Sequence, residues 1–170
     1  MATVTTITYG TYVPMTVTAL QSLANDAADP FAGWQSARVD NRTTMALDYE
    51  VQILLSTAAT APANDKVAYV YVVPWMHDGS AWTPMANFGT TTRPTGSEGT
   101  ASMSDPNRMK LAAVIPYFVT SQPLDAFFTI AGACGGIVPD GWSLAIRDCT
   151  GAAFGTGCVV AYRPITATNT

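Results

Sequence analysis

The sequence predicts an all-β chain, a jelly-roll-like β-sandwich of about eight antiparallel strands with one short helix near the N-terminus. Three observations carry that expectation. In residues 46–57, Leu47, Tyr49, Val51, Ile53 and Leu55 alternate with Asp48, Glu50 and Gln52, the period-2 pattern of a strand with one buried and one wet face. In residues 66–76, the run from Val67 to Val73 is apolar on both faces, and a strand buried on both sides needs either two packed sheets or a partner subunit. Further short apolar runs recur down the chain with Pro or Gly between them, and no strong helical pattern interrupts them.

Taken in order, residues 4–9 and 12–18 are the first strand candidates, rich in β-branched side chains and separated by Gly10. Residues 19–28 hold enough Ala, Leu and Gln for a short helix, which Asp29-Pro30 stops. Residues 34–39 read as a short strand, and Asp40-Asn41-Arg42-Thr43 as a turn into the long strand at 46–57. The segment Ala61-Pro62-Ala63-Asn64-Asp65 has the turn chemistry of a hairpin loop, so the two long strands are expected to pair with each other. Residues 75–99 contain His77-Asp78-Gly79-Ser80, Pro84 and Pro94 and read as a hairpin tip followed by an extended loop, the kind of segment where contacts are made. Strands are then expected over 109–115, 117–120, 126–131, 142–147 and 158–163. Residues 1–170 read as one sandwich domain, in which 1–28 serve either as a strand or as an arm reaching to a neighbour, and 164–170 as a small, polar, flexible tail.

At 170 residues the chain can bury about two thirds of its unfolded surface in a single core. Charged residues make up only 12%, against roughly 25% in an ordinary soluble domain, while 48% are hydrophobic. That deficit fits a surface that meets other protein rather than bulk water, as in a component of an assembly, with a compact β-rich monomer as the alternative. A net charge of -4, with eight Lys and Arg spread thinly, argues against nucleic acid as a partner. No run approaches the roughly 18 apolar residues of a membrane span, and residues 1–6 lack the basic and apolar regions of a secretory signal, so neither membrane insertion nor Sec-type export is expected.

Cys134, Cys149 and Cys158 are odd in number and lack the C-x-x-C spacing of a zinc site, so they read as reduced, buried thiols. A Cys149–Cys158 bridge is open only if the 150–157 loop closes a hairpin. The one histidine, His77, would have to supply the base of any Ser-His or Cys-His pair, and it stands beside Asp78-Gly79 in a turn. Asp48 and Glu50 share one strand face, as paired carboxylates of a glycosidase would, but the same spacing marks the wet side of an edge strand. Gly132-Ala133-Cys134-Gly135-Gly136 lacks the Lys-Ser/Thr of a phosphate loop and reads as a flexible turn. No catalytic, cofactor-binding or metal-binding set is expected.

The aromatic residues remain. Trp34 and Trp142 read as core; Trp75, Trp82 and Phe88 fall in the loop-rich stretch and are candidates for a contact surface, with Tyr69 and Tyr71 on the doubly apolar strand beside them. Large rings of this kind either anchor a subunit interface or form a platform on which sugars stack.

The run Trp34-Gln35-Ser36-Ala37-Arg38-Val39-Asp40-Asn41, then Leu47-Asp48-Tyr49-Glu50-Val51, Pro62, Lys66-Val67-Ala68-Tyr69-Val70-Tyr71, Asp78-Gly79 and Trp82 resembles a group of tailed-bacteriophage virion proteins. These are small jelly-roll proteins of the head or tail, among them capsid decoration, or cement, proteins. The resemblance spans roughly residues 30–165 and rests on strand patterning and turn positions. It implies a non-enzymatic structural protein, made in the host cytoplasm and placed on the capsid surface. There it would bind the major capsid protein, often as a homotrimer, and bridge capsomers against internal DNA pressure. It carries no catalytic residue over. The alternatives are a tail, baseplate or head-fibre component, or a carbohydrate-binding module that adheres to a host glycan. Rings buried between subunits favour assembly, and exposed coplanar rings favour sugar.

Overall fold

The runs rich in β-branched and aromatic residues do become strands, and their alternation decides which face each strand turns inward. The computed structural model describes residues 5–24, 31–57, 60, 61, 63, 66–88, 93–103, 108–120 and 122–169, and among these twelve strands form two antiparallel sheets in a sandwich-like arrangement. Sheet A runs β1 (Thr5–Tyr9), β12 (Val159–Asn169), β5 (Asp48–Leu55), β10 (Leu124–Thr129), with β2 (Val13–Pro14) also on β12. Sheet B runs β7 (Trp82–Pro84), β6 (Val67–His77), β11 (Gly141–Cys149), β3 (Phe31–Gln35), β8 (Gly99–Met103), with β4 (Val39–Asp40) on β11 and β9 (Lys110–Pro116) on β6. Helical structure among the described residues is limited to a 3-10 turn (Leu20–Ser22) and two single-turn helices, α1 (Asn41–Thr44) and α2 (Ile130–Ala133).

The predicted alternation of β5 holds from Tyr49 on: Tyr49, Val51, Ile53 and Leu55 are buried, while Gln52 and Leu54 face out. Leu47 precedes the strand and is exposed, outside the inward row assigned to it. The inward row of β5 meets Ala68, Val70 and Val72 of β6, Trp142, Leu144 and Ile146 of β11, and Trp34 of β3 in the main core.

The expected hairpin between the two long strands does not form. β5 pairs with β12 and β10, whereas β6 pairs with β11, β9 and β7, so the connection between them crosses from one sheet to the other. The reason lies in their faces. β5 has one dry row, matched by Val160 and Tyr162 of β12 and by Leu124 and Phe128 of β10, and it belongs in a sheet whose other face is free. β6 has two dry rows and needs cover on both sides.

That cover comes from the same chain. Tyr71, Val73 and Trp75, on the outer row of β6, pack with Ala86, Phe88, Met103, Met109 and Ala145 in a second apolar cluster, so a partner subunit is not what dries this face. Fewer differences mark the remaining elements. Residues 15–18 and 117–120 are not strand, and the predicted 19–28 helix reduces to the 3-10 turn, its 25–28 end lying outside the described residues. The predicted 40–43 turn is the helical turn α1, and the 132–136 turn begins inside α2. Residues 164–169, read as a tail, are the end of β12 and pair with β1 (Tyr9 opposite Ile165, Thr5 opposite Asn169), so the described ends of the chain form one ribbon.

Candidate functional site

The five aromatic contact candidates divide. Tyr71, Trp75 and Phe88 are buried within the chain and are withdrawn as contact surface: they line the second cluster, where the Trp75 indole N–H donates to Ser143 Oγ at 2.9 Å. Burying a ring of this size contributes about 2 to 3 kcal/mol, which explains why the loop folds back over β6 rather than leaving rings in water. Tyr69 stays half-buried and stacks on Tyr71 with centroids 6.4 Å apart. Trp82, also half-buried, stands between two guanidinium groups, Arg38 at 4.2 Å and Arg42 at 4.5 Å, with the His77 imidazole edge-on at 4.8 Å. Its ring lies where a Cβ on Gly141 would sit, 2.7 Å away, so only glycine fits at that position of β11. Trp34 and Trp142 are fully buried in the main core.

The titratable candidates are each held in local structure. Asp140 Oδ2 accepts the His77 backbone N–H, and His77 Nδ1 accepts from Gly79 N–H at 2.9 Å, which tightens the β6–β7 hairpin. Asp78 Oδ1 takes N–H bonds from Ser80 and Ala81, and these hold its carboxyl down at about 2. Asp48 and Glu50 stand on one face of β5, but β5 is an interior strand of sheet A and not the edge that their spacing suggested. Asp48 Oδ1 accepts from Ala131 N–H at 2.8 Å, fastening α2 to the sheet, and Glu50 pairs with Arg163 of β12. No disulfide joins Cys134, Cys149 and Cys158; Cys158 Sγ lies 3.7 Å from Ser56 O and 3.4 Å from Gly155 O. Among the described residues no group of three His, Cys, Asp or Glu gathers around a metal position.

Two surfaces remain that sequence reasoning did not assign. The first is a rim of loops at one end of the sandwich, where Met45, Met76, Met85 and Ile137 are all at least half exposed. Asp140 joins these loops: its carbonyl accepts from Asn41 N–H, and its carboxylate from His77 N–H. Two clefts open here, about 290 Å³ between α1 and Asp140, and about 250 Å³ walled by Pro74, Met85, Lys110 and Ile137; both border on Pro139. Met45 stands at φ 46°, in the left-handed region, as the C-cap of α1, and Asn41 holds it there by accepting Ala46 N–H and Tyr49 O–H on its side-chain oxygen. Left-handed backbone costs a non-glycine residue about 1 kcal/mol, and here it turns a large apolar side chain into water.

The second surface is the outer face of sheet A, where Ile7, Tyr9, Tyr12, Leu54, Phe127 and Val159 stand exposed around the Arg163–Glu50 pair. Its clue in the sequence is slight. Tyr9 and Tyr12 lie about 150 residues from Arg163, and only strand pairing brings them together.

Compared with known proteins, the chain matches no protein-family model and no curated protein.

Proposed function

We propose that this protein is a structural virion component, a decoration protein that seats on an outer capsid lattice, most simply as a homotrimer, and ties neighbouring capsomers together. The observation that carries the reading is the methionine-rich rim. Met45, Met85 and Ile137 line two adjoining clefts and Met76 is exposed near the end of β6, in a chain with few surface charges to keep other protein away. Methionine adapts its shape to a partner, and an exposed apolar patch rimmed by polar groups such as Arg42, Asp140 and Lys110 is what a protein contact requires.

The order of the strands supports the finer fold reading. Taking β1, β3, β5, β6, β9, β10, β11 and β12 as eight principal strands, one sheet runs first, eighth, third, sixth and the other second, seventh, fourth, fifth. This is the strand order of a viral jelly roll, in which two Greek keys wrap around each other. The remaining four strands, all of five residues or fewer, serve as edge additions. A lattice multiplies modest contacts: each seat contributes little, and a trimer engaging several seats gains avidity without any single strong interface.

The test is native mass spectrometry in reducing buffer, followed by addition of the protein to capsids that lack it. A trimer that saturates the lattice supports the reading, and the double variant Met45→Ser, Met85→Ser is expected to fold normally and bind at least tenfold more weakly. A monomer that leaves capsids bare overturns it.

A further inference from the structure

We propose that the outer face of sheet A carries a carbohydrate-binding site, built on Tyr9, Tyr12, Arg163 and Glu50, that takes a neutral sugar with adjacent hydroxyl groups. The site shares no residue with the methionine rim and does not depend on the virion reading.

Its construction starts at Gly10. A Cβ there would fall 2.9 Å from the Pro164 ring, so only glycine lets the chain cross β12 this closely, with Gly10 N–H donating to Pro164 O at 2.8 Å. The crossing puts Tyr9, at the end of β1, and Tyr12, just before β2, on either side of Arg163, whose guanidinium carbon is 4.9 Å from each ring centroid. Glu50, the residue opposite Arg163 on β5, accepts the Arg163 Nε–H. That bond fixes the guanidinium in its plane. Among the described residues its terminal amino groups have no further protein acceptor, and the Arg163 side chain keeps 30% of its surface exposed.

The rings keep water on their free surfaces. Tyr9 is 54% and Tyr12 41% exposed, and the same face carries Ile165 opposite Tyr9, Ala161 and the exposed Gln52. A structural staple alone would not need this much ring in water.

The chemistry selects the ligand class. A free anion seeks an unpaired positive charge, and Glu50 cancels the charge of Arg163. What remains is a row of donors, the guanidinium amino groups, next to an acceptor, the Glu50 carboxylate, whose side chain keeps 14% of its surface exposed, with the rings of Tyr9 and Tyr12 beside them. Neighbouring hydroxyls on a pyranose each donate and accept, so they match a donor and an acceptor set side by side. The tyrosine rings supply apolar surface for the C–H face of the sugar at small cost in side-chain freedom. A flat, exposed arrangement of this kind suits one or two sugar units of a longer chain, held weakly and, in an oligomer, several at a time.

The test is a glycan array probed with the full-length protein, with hits measured by saturation-transfer NMR and titration. Neutral oligosaccharides are expected to bind, with saturation transfer from tyrosine ring protons. Tyr12→Ala and Tyr9→Ala are each expected to weaken binding on the order of tenfold. Glu50→Gln, which removes the charge and keeps an acceptor, is expected to shift preference toward acidic sugars. Met85→Ser, on the rim, should leave sugar binding unchanged and so separates this site from the capsid contact. Binding of nothing on the array, binding only of acidic glycans that about 0.5 M salt abolishes, or binding untouched in both tyrosine variants would each overturn the proposal.

Discussion

Asp148 lies on the inward face of β11, fully buried, in a position that strand alternation assigns to an apolar side chain. Its Oδ1 accepts N–H and O–H from Thr150, while Oδ2 has no partner. Thr150 has one hydroxyl proton and two acceptors in reach, Asp148 Oδ1 at 2.7 Å and the Ala152 carbonyl at 2.9 Å. An ionised Asp148 claims that proton; a neutral one releases it to the loop. Burial outweighs the Thr150 bonds and pushes the carboxyl up to about 6. The sign follows. The folded protein binds this proton more tightly than the unfolded chain, so stability falls as pH rises from about 4 to about 6 and is flat beyond. A rise from 3.8 to about 6 caps the loss at about 3 kcal/mol. Asp78 acts in the opposite sense and in a lower window, from its ordinary value down to about 2, so the two effects separate on the pH axis. We expect the melting temperature to drop between pH 4 and pH 7, and Asp148→Asn to remove most of that slope. The slope is the readout, since the amide of the variant inherits the unpartnered position and its burial cost. A wild-type profile that rises across this window would refute the assignment.

At the scale of the element, β6 is the strand on which sequence and structure agree most and differ most instructively. Its two dry faces were legible because no charged or strongly polar side chain interrupts residues 67–73. Its partners were not. Periodicity reports which face a residue occupies and carries no information on which distant strand lies alongside, so the polar segment after β5 read as a hairpin when it crosses between sheets. Trp75 and Phe88 failed for a related reason. Trp75 belongs to the end of β6 and Phe88 to the segment after β7, and the outer row of β6 holds both rings inward and leaves Met76 and Met85 at the surface. Glu50 was singled out in the sequence only as half of a carboxylate pair with Asp48, and Tyr9 and Tyr12 were silent because a tyrosine in a Thr-rich strand has no local mark of function. Tyr71→Lys tests the double burial: it sets a cation beside Arg147, which already faces the Tyr71 hydroxyl. We expect a loss of about 3 kcal/mol or more in urea unfolding, seen equally at low protein concentration because the cover belongs to the same chain. Tyr69→Lys, half exposed on the same row, should cost far less. An unchanged midpoint for Tyr71→Lys would remove the two-sided burial.

At the scale of the whole molecule, stability and association draw on the same limited chemistry. Arg42–Asp40 is an exposed ion pair and Arg163–Glu50 a partly buried one, and isolated pairs at a surface add little to stability. The two apolar clusters therefore carry the fold, and the apolar rim offers the same kind of free energy to a partner. This fixes how the protein should answer to salt. Screening weakens charge–charge contacts and leaves apolar burial intact, while sulfate strengthens burial by its exclusion from protein surface. Raising NaCl from about 0.05 M to about 1 M should accordingly leave the unfolding midpoint nearly constant and, under the proposed decoration role, the occupancy of capsid seats as well, and ammonium sulfate should raise both. Analytical ultracentrifugation of decorated capsids across the salt series measures the second quantity directly. Release of the protein at moderate NaCl would mean that the proposed seat is electrostatic, and the proposal that the rim, with its four exposed apolar side chains, makes the contact would fall.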